Sequence, residues 1–186
     1  MKIELQAAKD AALRAGAILL KHYAEGFSVE WKGQNDPVTD ADRASSRALV
    51  EELHKHFPDD AILSEEEKDD STRLSSRRVW IIDPMDGTKE FVARRGEFAV
   101  MIGLAVKGEP RLGVVYQPTQ DKLYHAAAGE GAYLTLAGVT QQLQVSSEHD
   151  PSNATMAISR SHLSRTTEAI RQELGIELEV VHLPAN

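Results

Sequence analysis

The sequence predicts a layered α+β fold, with N-terminal helices packed on a mainly antiparallel sheet, followed by the start of an incomplete βαβ second subdomain. Three observations predict it. Apolar residues recur at helical spacing as far as Phe57. From Val79 the pattern changes to short apolar runs separated by turns that contain Gly or Pro. From Thr155 the order becomes strand, helix, strand. Helices first, an antiparallel set next and a βαβ unit last is the signature of a layered mixed fold.

Each element has its own grounds. Residues 2 to about 23 carry Ile3, Ala7, Ala11 and Ile18 at helical spacing, and Gly26 follows the end. Residues 26–40 hold Gly33, Asn35, Asp36 and Pro37, the composition of a loop or short hairpin. A second helix is expected from about Asp40 to Phe57, with Thr39 or Asp40 as its N-cap and Pro58 closing it. Ala61 to Ser64 reads as a short strand. The charged stretch from Glu65 to Arg78, which includes EEEKDD, reads as a mobile surface loop. Val79 to Ile82 is a strand that ends in a turn around Pro84 and Gly87. Phe98–Val106 and Arg111–Tyr116 form a hairpin across Lys107–Pro110, and Lys122–Ala127, Tyr133–Leu136 and Gln142–Val145 complete the antiparallel set. The polar run 146–153 is the expected boundary, dividing residues 1–150 from residues 151–186. Beyond it come a strand at Thr155–Ser159, a helix from about Ser164 to Leu174, and a strand at Ile176–Leu183.

The chain has 186 residues, 41% of them apolar, with 21 basic and 29 acidic side chains and a net charge of −8. That length is enough to bury a core, and the composition excludes disordered and collagenous chains. The acidic balance argues against a nucleic-acid polymer as partner. Zero cysteines exclude disulfide scaffolds, thiolate metal sites and cysteine nucleophiles, and they fit a reducing cytoplasm. The opening MKIELQAAKD is charged throughout, unlike a signal peptide, and the apolar run Phe98–Val106 is far short of the ~20 residues that span a membrane. A cytoplasmic protein without a transmembrane segment is expected. Peripheral attachment at the inner face of the membrane and a homodimer are left open.

The sharpest chemical feature is Asp83-Pro84-Met85-Asp86-Gly87-Thr88-Lys89-Glu90-Phe91, directly after an apolar strand. Such a strand is expected to be buried and to deliver Asp83 to the floor of a cleft. Two carboxylates three residues apart around a Pro/Gly turn can converge on one point. Clustered carboxylates are costly unless cations neutralise them, and oxygen-only ligands suit hard cations such as Mg²⁺. Gly87 lets the backbone approach a ligand, and Thr88 opens what reads as a helix, whose amide and hydroxyl are available to an anion or a water. Each feature also has a structural reading. Asp, Pro and Gly are turn residues in their own right, Glu65–Glu67 alone would be a solvated charge run, and Asp42 could be a helix N-terminal acid. Lys32, Asp36 and Asp40 lean towards structural roles or towards supporting the residues that touch the ligand.

The pattern D-P-x-D-G-T-x-x-F resembles the signature of the inositol-monophosphatase superfamily of Mg²⁺-dependent phosphatases, which have a layered α-β-α-β, sugar-phosphatase-like fold. Supporting segments fall in the same order. They are Lys32 with Asp36-Pro37-Val38-Thr39-Asp40-Ala41-Asp42, Ile62-Leu63-Ser64-Glu65-Glu66, Trp80-Ile81-Ile82 and Gly113-Val114-Val115-Tyr116. Lys89-Glu90 before the phenylalanine, and Ser159-Arg160-Ser161-His162 after a later strand, are similar to the 3'(2'),5'-bisphosphate nucleotidase branch. The resemblance implies two or three Mg²⁺ ions held by Glu65, Asp83, Asp86 and the Met85 carbonyl. It gives catalytic roles to Glu65 and Thr88, which orient a water, and to Asp42 behind Thr88. Substrate contacts would come from Glu65, Met85, Asp86, Gly87, Thr88, Ser159, Arg160, Ser161 and His162. The implied reaction removes the 3'-phosphate of 3'-phosphoadenosine 5'-phosphate, a small nucleotide bisphosphate, without a covalent enzyme intermediate.

One departure qualifies this expectation. The superfamily's late W-D-x-A-A motif, whose aspartate completes the metal site, has no counterpart here, since the only tryptophans are Trp31 and Trp80. The resemblance therefore implies a truncated second subdomain and low or absent activity unless the rest is supplied elsewhere. Two alternatives stand beside the nucleotidase reading. One is an inositol or sugar-phosphate monophosphatase; the other is a non-catalytic metal- or phosphate-binding fragment or oligomerisation module.

Overall fold

A computed structural model describes residues 1–33, 36–159, 164–176 and 181–183. The chain divides into two compact units, Met1–Leu143 and Gln144–Asn186. The first unit is built in the order α1 (Lys2–Glu25), β1 (Val29–Gly33), β2 (Asp36–Thr39), α2 (Asp40–His56), β3 (Ala61–Ser64), β4 (Arg78–Asp86), α3 (Thr88–Val92), then β5 (Ala99–Val106), β6 (Glu109–Gln117), β7 (Lys122–Ala127), β8 (Gly131–Leu136) and β9 (Val139–Leu143). β1 and β2 form a separate antiparallel hairpin. The other seven strands form one sheet in sequence order, from β3 to β9.

Every neighbouring pair in that sheet is antiparallel except β3 and β4, which run parallel. A parallel pair needs a long connection, and residues 65–77 supply it. This is the charged stretch expected to be a mobile loop, and its own charges fold it. Asp69 and Asp70 accept the amides of Ser71 and Thr72 at 3.0 and 2.9 Å, opening a 3-10 turn at Thr72–Leu74.

Period-two alternation decides which side chains form the core. Trp80 and Ile82 on β4 are buried, as are Val100, Ile102 and Leu104 on β5. α1 packs on α2 and on β5, β6 and β7, and α2 packs on β4. The buried stripe of α1 runs through Ala8, Ala11, Ala12, Ala15 and Leu19, while Ile3, expected to face inward, is 76% exposed. Small residues let the helix settle close to the sheet. A Cβ on Gly16 would stand 2.4 Å from a ring carbon of Tyr116.

In the second unit, β10 (Ala157–Ser159) pairs parallel with β11 (Val181–Leu183), and α4 (Arg165–Glu173) lies between them in sequence. Ser164 caps α4 by accepting the Thr167 amide at 3.0 Å, and Gly175, at φ +67°, follows its end. Among the described residues, no helix is long and apolar enough to cross a membrane.

Candidate active site

The D-P-M-D segment is not a turn after the strand but a bulge inside it. Asp83 pairs with Met101 and Asp86 with Ala99, so three steps along β4 match two along β5. Pro84 has no N–H to give to a ladder, which suits it to the position where pairing is interrupted. The extra residue decides the geometry. Residues three apart on a regular strand point to opposite faces, whereas one bulged residue returns Asp86 to the side of Asp83. The turn is fixed locally by the Met85 amide, which donates to Asp83 Oδ1 at 3.0 Å.

Glu65 arrives from β3. Ser64 is the register partner of Ile82, and the Glu65 amide donates to the Ile82 carbonyl at 3.3 Å, continuing the parallel ladder and setting Glu65 beside Asp83. Burial, followed by the charges of Glu65 and Asp86, pushes the Asp83 carboxyl up to about 7. Burial, then Glu65 and Glu90, pushes Asp86 up to about 6. Among the described residues, no three acidic or histidine side chains stand close enough to enclose a metal ion as they are. Neighbouring half-buried carboxylates repel one another unless protons or a cation neutralise them.

Asp42 comes from the first turn of α2 and serves two purposes at once. Its Oδ2 accepts from the Thr39 amide at 2.7 Å and the Thr39 hydroxyl at 2.6 Å, while the Asp42 amide donates back to Thr39 Oγ1 at 3.3 Å. This reciprocal cap selects Thr39 rather than Asp40 as the N-cap. The other oxygen, Oδ1, accepts from the Thr88 hydroxyl at 3.0 Å. Burial raises the Asp42 carboxyl above the ordinary carboxylate range, against the opposing hydrogen bonds from Thr39 and Thr88. The Met85 carbonyl also lies 3.2 Å from Thr88 Oγ1. A hydroxyl has one proton to give, so the Thr88 hydrogen serves either Asp42 or Met85 at any moment.

The structure thus brings Glu65, Asp83, Met85, Asp86, Gly87, Thr88 and Asp42 together. Ser159 ends β10 in the second unit, and Arg160, Ser161 and His162 lie outside the described residues.

Two contacts at this site add to what the sequence showed, Ser45 as a residue it did not single out and Lys32 by its partner. The Ser45 hydroxyl donates to the Pro84 carbonyl at 2.9 Å and fastens the bulge to α2. Ser45 lies three residues after Asp42, on the same helix face, and that spacing was an available signal. Replacing Ser45 with alanine strands a buried carbonyl. We expect a loss of about 1–2 kcal/mol in urea unfolding, and an unchanged midpoint would show that the hydroxyl does not hold the bulge. The second contact is Lys32, whose Nζ stands 2.6 Å from Glu66 Oε1 and ties the β1–β2 hairpin to the segment carrying Glu65. Burial pulls the Lys32 pKa down, but the Glu66 hydrogen bond and the charges of Glu66, Glu65 and Asp36 raise it overall.

A layered α/β chain with paired aspartates on a strand bulge, a glutamate on the neighbouring parallel strand and a helix-capping aspartate behind a threonine is one architecture throughout. The chain belongs to the inositol monophosphatase family, whose sequence pattern matches residues 2–181. It is 40% identical over 167 residues to the 3'(2'),5'-bisphosphate nucleotidase CysQ of Escherichia coli O157:H7, a match covering 88% of this chain and 66% of that protein. Among solved structures, the extragenic suppressor protein suhB of Bartonella henselae superimposes with a TM-score of 0.83 at 28% identity, over 98% of this chain and 71% of that one. CysQ of Bacteroides thetaiotaomicron superimposes with a TM-score of 0.80 at 34% identity, over 97% and 72%. The chain therefore spans about two thirds of the length of the bisphosphate nucleotidases it matches.

Proposed function

We propose that this chain carries the cation- and phosphate-binding site of a Mg²⁺-dependent phosphomonoester hydrolase that removes the 3'-phosphate of 3'-phosphoadenosine 5'-phosphate. The observation that supports it best is the convergence of Glu65, Asp83 and Asp86 beside the Asp42–Thr88 hydrogen bond. The donor set fits a hard divalent cation: it is all oxygen, and burial, followed by the like charges around them, pushes Asp83 up to about 7 and Asp86 up to about 6. Glu65, Asp83, Asp86 and the Met85 carbonyl would hold Mg²⁺. Bound there, the metal would neutralise the carboxylates, acidify a water and stabilise charge on the phosphoryl oxygens.

The remaining roles belong to the chain itself. Thr88, while donating to Asp42, keeps its oxygen lone pairs free to accept a hydrogen bond from the attacking water. As that water loses its proton to Thr88 Oγ1, the threonine passes its own proton to Asp42 Oδ1, which leaves Thr88 unchanged. Glu65 would orient the same water. The Gly87 and Thr88 amides would be available to the phosphate oxygens, and no covalent intermediate is required. The nucleotide branch of the family is supported by Lys89-Glu90 in the signature and by the 40% identity to a bisphosphate nucleotidase.

Phosphate release from 3'-phosphoadenosine 5'-phosphate and from inositol 1-phosphate, each with and without Mg²⁺, tests the reading. We expect Mg²⁺-dependent release that favours the nucleotide and is abolished in Asp86→Asn. Equal release by Asp86→Asn would discard the site, and a preference for the inositol ester would discard the nucleotide as substrate.

A further inference from the structure

Glu65 is exposed, whereas Asp83 and Asp86 are half-buried. An exposed glutamate is placed by the backbone that carries it, because little packing restrains its side chain. That backbone is a tight turn. The Glu67 amide donates to the Ser64 carbonyl at 3.4 Å, leaving Glu65 and Glu66 as the two central residues. The strand that leads into the turn offers limited support, since β3 ends the seven-stranded sheet and pairs with β4 alone.

One hydroxyl holds both ends of this turn to α2. Ser46 Oγ lies 3.0 Å from Ser64 Oγ and 3.4 Å from Glu67 Oε1. A carboxylate can only accept, so while Ser46 gives its hydrogen to Glu67, Ser64 supplies the hydrogen of the shorter bond. Ser46 is 0% exposed and Ser64 5%, so water does not compete for the pair. Asp42, Ser45 and Ser46 stand at i, i+3 and i+4 of α2, on one face of the helix. Asp42 accepts from Thr88, Ser45 donates to the Pro84 carbonyl, and Ser46 binds the corners of the Glu65 turn. A single helix face therefore touches all three segments of the site.

We propose that Ser46 is a positioning residue for Glu65: its hydroxyl, by fastening both ends of the Ser64–Glu67 turn to α2, sets Glu65 beside the paired aspartates for a divalent cation. This deepens the function proposed above and rests on it. Buried inside the helix packing, Ser46 cannot itself meet a cation or a substrate, so its influence passes through the backbone of the turn. Mg²⁺ demands near-ideal octahedral geometry, which makes it sensitive to a donor that is loosely held. Without the Ser46 hydroxyl the donor set is unchanged, but binding must then order the turn as well. Partners of this outer kind tune affinity although they never touch the ion.

Calorimetric titration of the full 186-residue chain with MgCl₂, without substrate and well below each variant's melting transition, tests this. Ser46→Ala is expected to weaken Mg²⁺ binding by about 10-fold, the lower end for an outer partner, because it acts through the backbone. Ser64→Ala breaks the 3.0 Å bond from the other side and should weaken binding too, and it carries the test should Ser46→Ala not fold. The double variant should bind within about twofold of Ser46→Ala alone, since one substitution already breaks the shared contact. Ala48→Gly weakens the same helix at a buried position without removing a bond to the turn, and should stay within about twofold of the parent. Three results overturn the inference: parental affinity in Ser46→Ala, or in Ser64→Ala where that variant stands in; an equal loss in Ala48→Gly; or single losses that multiply in the double variant. Glu65→Ala separates this inference from the reading beneath it. If the parent binds no Mg²⁺, or Glu65→Ala binds as the parent does, the assignment of Glu65 falls and the inference with it. If Glu65→Ala loses binding and Ser46→Ala keeps it, only the role of Ser46 falls.

Discussion

Asp83→Asn is expected to make the metal-free protein more stable at pH 8 while reducing Mg²⁺-dependent phosphate release by more than about 100-fold, beyond the effect typical of an outer partner. The sign follows from linkage. The Asp83 carboxyl holds its proton up to about pH 7 in the folded chain, against an ordinary value of 3.8, and Asp86 holds its proton to about 6. Between about pH 4 and 7 the folded state therefore binds more protons than the unfolded state, so stability falls as pH rises through that window. Below the window the penalty is absent; above it the penalty is complete. A rise of about three pH units in a fully desolvated group would be about 4 kcal/mol, but Asp83 is half-buried and solvent screening brings this to about 2 kcal/mol. Asparagine has no charge to lose, and its Oδ1 can still accept the Met85 amide. Urea unfolding at pH 5 to 8 in EDTA measures the slope, and repeating it in Mg²⁺ should flatten or reverse it for the parent alone. A flat parental profile in EDTA, or an Asp83→Asn variant no more stable than the parent at pH 8, would refute the electrostatic account of the site.

Periodicity and turn chemistry are local, and what they located in the sequence was local. The helix at 2–25, the hairpin at residues 29–39 and the strand at 122–127 follow from apolar spacing and from Gly, Asn and Pro at their ends. What pairs with what was not legible. Nothing in Ala61–Ser64 or Val79–Ile82 says that these strands run parallel, yet that pairing is what sets Glu65 against Asp83. The D-P-M-D segment reads as a turn because Asp, Pro and Gly are turn residues. It folds as a bulge because β5 continues to pair beyond it, to Ala99. Asp42 was open to two readings, a helix-end acid or a group behind Thr88. The structure removes the choice, because one carboxylate oxygen faces Thr39 and the other faces Thr88, 46 residues later. Glu90 was visible only as a letter in a signature. Its neighbour Phe91 packs in an aromatic cluster with Tyr23, Phe27 and Phe98, which no local pattern assembles.

Gly87→Ala is expected to remove about 3–4 kcal/mol of stability, combining the left-handed backbone penalty with a backbone clash. Gly87 sits at φ +89°, ψ +35°, in the left-handed region that a Cβ disfavours by about 1–2 kcal/mol. The clash is the larger part. A Cβ there would stand 2.6 Å from the Glu97 carbonyl oxygen and 3.3 Å from the Phe98 Cα. Both neighbours are backbone, so no flexible side chain can swing aside. Nor can the segment retreat as a whole. Phe98 is fully buried, with its ring centroid 4.8 Å from Phe91 and 5.2 Å from Tyr23, and Arg94 lies over the Tyr23 and Phe27 rings at 4.9 and 4.6 Å. For a chain of this size the loss corresponds to a melting temperature lower by about 6–15 °C. The same displacement acts on the chemistry, because Gly87 caps α3 and the helix starts at Thr88. Any relief of the clash moves the Thr88 hydroxyl away from Asp42 Oδ1. Phosphate release measured well below the melting transition should therefore fall as well, beyond the unfolded fraction. Phe98→Ala enlarges the space behind Gly87. If the Glu97–Phe98 backbone is the obstacle, Gly87→Ala should lower stability less in a Phe98→Ala background than in the parent. A strictly additive double variant would locate the strain in the left-handed backbone alone, and a Gly87→Ala melting temperature within about 2 °C of the parent, the shift expected for at most about 1 kcal/mol, would show that the cradle has room.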